Sequence, residues 1–156
     1  MTHKPEETIV STLNHLLETA KDGENGFQAA AEDCTDPGLK QLFGEFSHER
    51  GVFATELQTL LKQHGTEPDE IGSLAGAVHR GWINLKSALS TREDLAVLEE
   101  CERGEDSAIQ DYRKALGTPQ LGEALAIVQK QYDHILSAHR LVKNLRDKIG
   151  ANQHPH

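Results

Sequence analysis

Residues 95–116 read LAVLEECERGEDSAIQDYRKAL, and their spacing decides the fold. Leu95, Leu98, Glu102, Glu105, Ile109, Tyr112 and Leu116 recur every three or four residues, which is one face of an α-helix. The stripe predicts a core-facing helix over about 91–116, ended by Gly117-Thr118-Pro119. Glu102 and Glu105 stand on it where apolar residues belong.

Three more long helices flank this one. The helix over 6–33 turns Val10, Leu13, Leu17, Ala20, Glu24, Phe27 and Ala31 inward. Gly23 and Gly26 weaken it, and their missing side chains let a neighbour come close. Asp36-Pro37 breaks the chain and opens a second helix, with Pro in its first turn. That helix runs to about His64, with Leu39, Leu42, Phe46, Glu49, Phe53, Glu56 or Leu57, and Leu60 inward, and Gly65 stops it. The last covers about 119–149, with Leu125, Val128, Gln131 or Tyr132, Ile135, Ala138 or His139, Val142 and Leu145 inward. Between helices two and three, Thr66-Glu67-Pro68-Asp69 is a loop, and 74–89 reads as a shorter helix carrying His79-Arg80-Gly81-Trp82. About 16 helical residues span roughly 24 Å, enough to recross most of a bundle.

Two tight turns and one long crossover give two antiparallel hairpins, with helices two and three parallel. This predicts an all-α, ferritin-like four-helix bundle. Residues 1–150 form one domain, and 151–156 form a flexible tail.

The composition agrees. With 37% hydrophobic but only 4% aromatic residues, the core is aliphatic, which suits helices packed on helices better than a β-sandwich. The formal charge of −9 argues against nonspecific binding to nucleic acid or anionic membrane and is compatible with cationic ligands. No apolar run approaches the roughly 20 residues of a membrane span. Met1-Thr2-His3-Lys4-Pro5 lacks the apolar stretch of a signal peptide, so a cytoplasmic location is the default expectation. Cys34 and Cys101 make no disulfide framework and read as small apolar residues. The sequence holds no Ser-His-Asp, phosphate-loop or dinucleotide motif.

What interrupts the stripes carries the functional signal. Glu24, Glu49, Glu102 and Glu105 all fall on core positions. Glutamate is rarely fully buried unless paired, and an unpaired buried carboxylate is costly. Counted from turns near residues 36 and 118, Glu24 and Glu49 stand at one height and Glu49 is level with about residue 103. Glu102 and Glu105 then face Gln131, Tyr132 and His134. The sequence therefore predicts one mid-bundle layer of carboxylates, an amide and an imidazole. Such a cluster needs protons or a metal to offset its repulsion. Iron, manganese or zinc suits these donors.

Glu24-Asn25-Gly26-Phe27, His79-Arg80-Gly81-Trp82 with Leu85-Lys86, and the run from Glu99 to Asp106 carry a resemblance. So do Gln131-Tyr132 and His139 with Leu145-Arg146-Asp147. Over nearly the whole chain, the sequence resembles a family of small bacterial four-helix-bundle proteins of the ferritin-like superfamily. More distantly it is similar to the di-iron rubrerythrins and ferritins. That likeness implies Glu24 as the first-helix ligand and Glu49 as the bridging ligand. It makes Glu102-Arg103-Gly104-Glu105 the paired glutamates of rubrerythrin helix three. Gln131-Tyr132-Asp133-His134 takes the fourth-helix Glu-x-x-His position, with Gln for Glu. Helix two departs from the pattern: Val52 stands where its histidine belongs, and Glu45-Phe46-Ser47-His48 is rotated off the stripe. A mononuclear, altered or vestigial site follows from that departure.

The metal ligands expected on this reading are Glu24, Glu49, Glu102, Glu105 and His134. The competing reading is a polar core, protonated or water-bridged, with the glutamates paired to Arg50 and Arg103. His139 reads as a satisfied core histidine near the height of Glu45, and Tyr112 and Tyr132 as core packing. His79 and Trp82 read as capping and packing the crossover. Two functions follow. One is a metal-binding protein, an iron-dependent oxidase or peroxidase of stress response. The other is a non-catalytic structural or interaction bundle that has lost its metal. A bundle of this size often pairs through an outer helix face, so a homodimer is compatible with either.

Overall fold

The structure is a computed structural model that describes residues 5–66, 82, 84–91, 93–119 and 121–153. Its helices are α1 (Pro5–Asp33), α2 (Pro37–Gln63), α3 (Leu85–Ser90), α4 (Asp94–Leu116) and α5 (Ala124–Gln153). No strand occurs among the described residues. None of the helices is long and apolar enough to cross a membrane.

α1 packs against α2 and α4, and α4 against α5. The α2–α5 seam closes the ring with the least approach. Local chemistry sets the boundaries. Asp36 caps α2 by accepting from the Leu39 N–H at 2.9 Å, with Pro37 following as the sequence predicts. Asp94 opens α4 and accepts from the Thr35 N–H (2.8 Å), the Thr35 hydroxyl (2.8 Å) and the Asp36 N–H (3.2 Å). One carboxylate thus ties the start of α4 to the start of α2, and the two helices run parallel from that end.

Several boundaries differ from the sequence reading. Thr91 caps α3 instead of beginning α4: its hydroxyl bonds the Ala88 carbonyl at 2.7 Å and accepts from the Glu93 N–H at 3.1 Å. Of the crossover helix predicted over 74–89, the structure describes Trp82 and the turn-and-a-half of α3. His79 lies outside the described residues. α5 begins at Ala124, not Pro119, because the chain after Gly117 buries Leu121 and turns at Gly122 with φ 55° before the helix starts. The end of α5 continues through Gly150 to Gln153, so the start of the predicted tail is helical. A Cβ at Gly150 would stand 3.9 Å from Leu95.

The longer loop moves the α4–α5 register. Arg113 donates to the Tyr132 hydroxyl, Tyr112 bonds Gln131, Asp106 pairs with His139 and Glu102 pairs with Arg146. Glu102 and Glu105 therefore do not face Gln131 and His134. Gln131 lies opposite Tyr112, seven residues along α4 from Glu105, or about 10 Å. Gln131 therefore leaves the single layer predicted from the sequence.

Gly26 and Gly104 make room for the crossover. The Trp82 indole is 4% exposed and lies against both. A Cβ at Gly26 would stand 2.5 Å from Trp82 Cδ2, and one at Gly104 2.2 Å from Cε2. Phe27 meets the indole edge-on at 5.0 Å. The neighbour admitted by the glycine of α1 is thus a side chain of the crossover, not another helix. Gly104→Ala should cost about 1–3 kcal/mol by overpacking. In urea unfolding, Trp82→Leu on the Gly104→Ala background should add less than it costs alone, since the clash and the indole leave together. Full additivity would contradict the wedge.

Candidate functional site

The core faces are rotated by about one residue from the predicted stripes. α2 buries Leu39, Phe43, Arg50, Phe53, Ala54, Leu57, Leu60 and Leu61. That brings Arg50 to the bundle axis and leaves Glu49 at the edge of the core, its side chain 33% exposed. α1 likewise buries Leu13, Leu16, Leu17, Ala20, Phe27 and Ala30, with Gly23 inward and Glu24 half-buried beside Gly51. The predicted equal height of Glu24 and Glu49 is close to what is seen, since the Ser47 hydroxyl donates to the Glu24 carbonyl at 2.8 Å.

Glu105 is fully buried, and Arg50 is 1% exposed. The guanidinium forks onto the carboxylate, with Nη1 to Oε1 and Nη2 to Oε2 both at 2.6 Å. Its Cζ lies 5.2 Å from the centre of the Phe27 ring. Gly23 supplies the space, since a Cβ there would stand 3.1 Å from Nη1. Burial alone would lower the Arg50 pKa, but the Glu105 carboxylate more than offsets it and the net shift is upward. Arg50 is therefore held as a cation in the core. Arg50 Nε has no hydrogen-bond partner among the described residues.

The other polar groups are satisfied at different heights. Tyr112 donates to Gln131 Oε1 at 2.6 Å, and Gln131 Nε2 donates to the Phe53 carbonyl (3.3 Å) and Glu56 (3.0 Å). Burial pushes the Tyr112 hydroxyl pKa well up, so it remains a donor. Tyr132 is only partly buried, its hydroxyl accepting from Arg113 at 2.8 Å. Glu102 is held by Arg146. His139 Nε2 lies 2.7 Å from Asp106 and 4.0 Å from Glu102. His134 Nδ1 lies 3.5 Å from Glu49, which is the one pairing the structure makes among the predicted ligands. Arg103 lies 3.5 Å from Glu100, so only the Arg50 half of the predicted arginine pairing reaches the stripe glutamates.

A carboxylate-bridged metal pair needs donors converging at one height with free lone pairs. These residues do not fit that arrangement. Both Glu105 oxygens face a guanidinium, and the Gln131 oxygen faces a phenol. Among the described residues no three of His, Cys, Asp and Glu gather as a metal-holding group.

The sequence predicts Arg50 as a partner of the glutamates but not on the inward stripe of α2, and does not predict Glu100 in the core at all. Arg50 falls seven residues after Phe43 and three before Phe53, a helical spacing that could have marked it as inward. Glu100 is 3% exposed; its Oε2 accepts from the Asn84 N–H at 2.8 Å at the start of α3. Burial raises its pKa above 4.5, more than the Asn84 N–H and the Arg103 charge lower it. Cys34 and Cys101 are buried, and burial raises both thiols, Cys101 strongly, so they behave as the apolar residues the sequence implies.

A family model described as "Domain of unknown function (DUF2383)" matches residues 8–118, which span α1 to the end of α4. Among solved structures, the chain is similar to a two-domain protein from Anabaena variabilis containing DJ-1/ThiJ/PfpI-like and ferritin-like domains. The TM-score is 0.79 at 20% identity, over 92% of this chain and 40% of that one. The chain thus spans well under half of that protein, and the likeness shows a ferritin-like fold. No curated protein matches.

Arg50→Met should cost about 3–5 kcal/mol, because it strands a buried carboxylate, and adding Glu105→Leu should recover most of that loss. Chemical unfolding of the two variants checks both numbers, and a double variant no more stable than the single would refute the pairing. Glu100 gives a pH signature. Its raised folded pKa means the native state holds the proton more tightly, so its contribution is full below pH 4.5 and is lost as pH rises through the folded value. Glu100→Gln should therefore raise Tm at pH 7–8 and leave it unchanged near pH 4. A Tm difference that is the same at both ends would remove Glu100 as the source.

Proposed function

The chain belongs to that family of unknown function, and we propose that it is a ferritin-like bundle working without a mid-bundle metal, as a structural or interaction domain. The observation that carries this reading is the Arg50–Glu105 fork. A fixed organic cation stands beside the most buried of the predicted ligands, where a bridged metal pair would need that carboxylate free. Arg suits the role because its planar fork matches a carboxylate and keeps its charge when buried.

A second reading rests on a different observation. Glu49 and His134 meet at 3.5 Å at the half-exposed α2–α5 edge. Those two donors, with Glu102 and Glu105 engaged by their arginines, would suit a single iron, manganese or zinc ion whose remaining positions are filled by water.

Elemental mass spectrometry of the purified protein, before and after anaerobic loading with ferrous iron, separates the two. The first reading expects no stoichiometric metal and the same melting temperature with and without chelator, since a bound metal would stabilise the fold. About one metal per chain, lost in Glu49→Ala and His134→Ala but kept in Glu102→Ala, would favour the second. Metal lost in Glu105→Ala, at a site the melt shows to be folded, would defeat the first outright.

A further inference from the structure

The α2–α5 seam has two unlike walls. Glu45, Glu49, Val52 and Glu56 follow one another at helical spacing along α2, and this flank carries no cation. Contacts of Glu49 with His134 and of Glu56 with Gln131 fix it as the flank facing α5. On α5 the opposing flank carries Lys130, His134, Leu141 and Lys148. Glu45, Lys130 and Lys148 are exposed and have no ion-pair partner among the described residues. Between the walls, at the end where α5 begins, lies an open groove of about 390 Å³ that includes Thr55, Leu60 and Ile127, with Glu123 as the one acid on its α5 side.

Large apolar side chains border the same face. Val52 is 44% exposed and Leu141 41%. Leu125 is exposed to 46%, but it stands seven residues before Tyr132 and so on the side of α5 that meets α4.

We propose that this face docks a second copy of the chain, about a two-fold axis parallel to the helices. That axis lays α2 of one copy on α5 of the other, so the acidic flank meets the basic one twice. A two-fold axis across the helices would instead lay α2 on α2 and set carboxylates against carboxylates. The register follows from the Glu49–His134 level. Glu56 lies near Lys130 of the second copy, and Glu45 within a turn of Leu141 of the second copy. Val52 and Leu141 are then covered. The pairing stands on surface residues and does not depend on which cation serves the mid-bundle.

Light scattering after size-exclusion chromatography, from about 1 to about 100 μM, tests this. A mass of twice 17.2 kDa is expected at the upper end. Leu141→Asp, which sets a second carboxylate against Glu45, should raise the dimer Kd by at least about tenfold. Adding Glu45→Lys should restore it, and Leu141→Lys should be milder than Leu141→Asp. Leu125→Asp, equally exposed on the other side, should leave the dimer intact. Circular dichroism melts confirm that each variant is folded. A monomer throughout the range would overturn the proposal, and so would a dimer broken by Leu125→Asp but not by Leu141→Asp.

Discussion

A carboxylate with no exposure must meet a cation or take up a proton, and Glu105 meets Arg50. Much of the middle of the bundle follows from that need. The guanidinium is long and flat, so α1 must present Gly23 beside it and a Phe27 face near it. Both carboxylate oxygens are engaged, which fixes the rotation of α2 about its axis relative to α4. That rotation is the reason Glu49 is carried to the edge of the core and Leu57, not Glu56, is buried. The pair is not a strong source of net stability, since desolvation offsets most of its attraction. Its value is directional: other rotations of α2 would strand one charge in the core.

The crossover is tied to the same stretch of α4. Gly104 admits the Trp82 indole, Glu105 holds Arg50, and Glu100 holds the start of α3 through the Asn84 N–H. These three residues face different directions from one helix and organise α1, α2 and the crossover at once. Phe27 touches both sides, edge-on to Trp82 and under Arg50. A change at any of these positions is therefore felt by the others, as expected where side chains share neighbours.

The helix count, the crossover topology and the parallel pairing of α2 with α4 were legible because apolar spacing and punctuation by Asp36-Pro37, Gly65 and Gly117 report them directly. The glutamates were legible as anomalies for the same reason. Two things were not. Near-continuous apolar positions such as Leu16-Leu17, Phe53-Ala54 and Leu60-Leu61 leave a helix face uncertain by one residue, and one residue exchanges Arg50 for Glu49. The α4–α5 register depends on how many residues the loop consumes, and Gly117-Thr118-Pro119 marks where α4 ends without marking where α5 begins. Buried Leu121 and the left-handed Gly122 extend that loop, and each added residue slides the hairpin partner.

That slide bears on what the core can do. In a bundle, donors from four helices converge only if the hairpins bring them to one height. Here each polar group has its own neutraliser at its own level: Arg50 for Glu105, Arg146 for Glu102, the Tyr112 phenol for Gln131, and His139 beside Asp106. Bringing Gln131 level with Glu105 would require sliding α5 by about two turns against α4 while α4 remains pinned to the α1–α2 turn through Asp94. Small adjustments of rotamer cannot supply that motion in a close-packed core. Gln131 and the Glu102–Arg146 pair stand away from the level of Glu24, Glu49 and Glu105, and each meets its own hydrogen-bonded or ionic partner there.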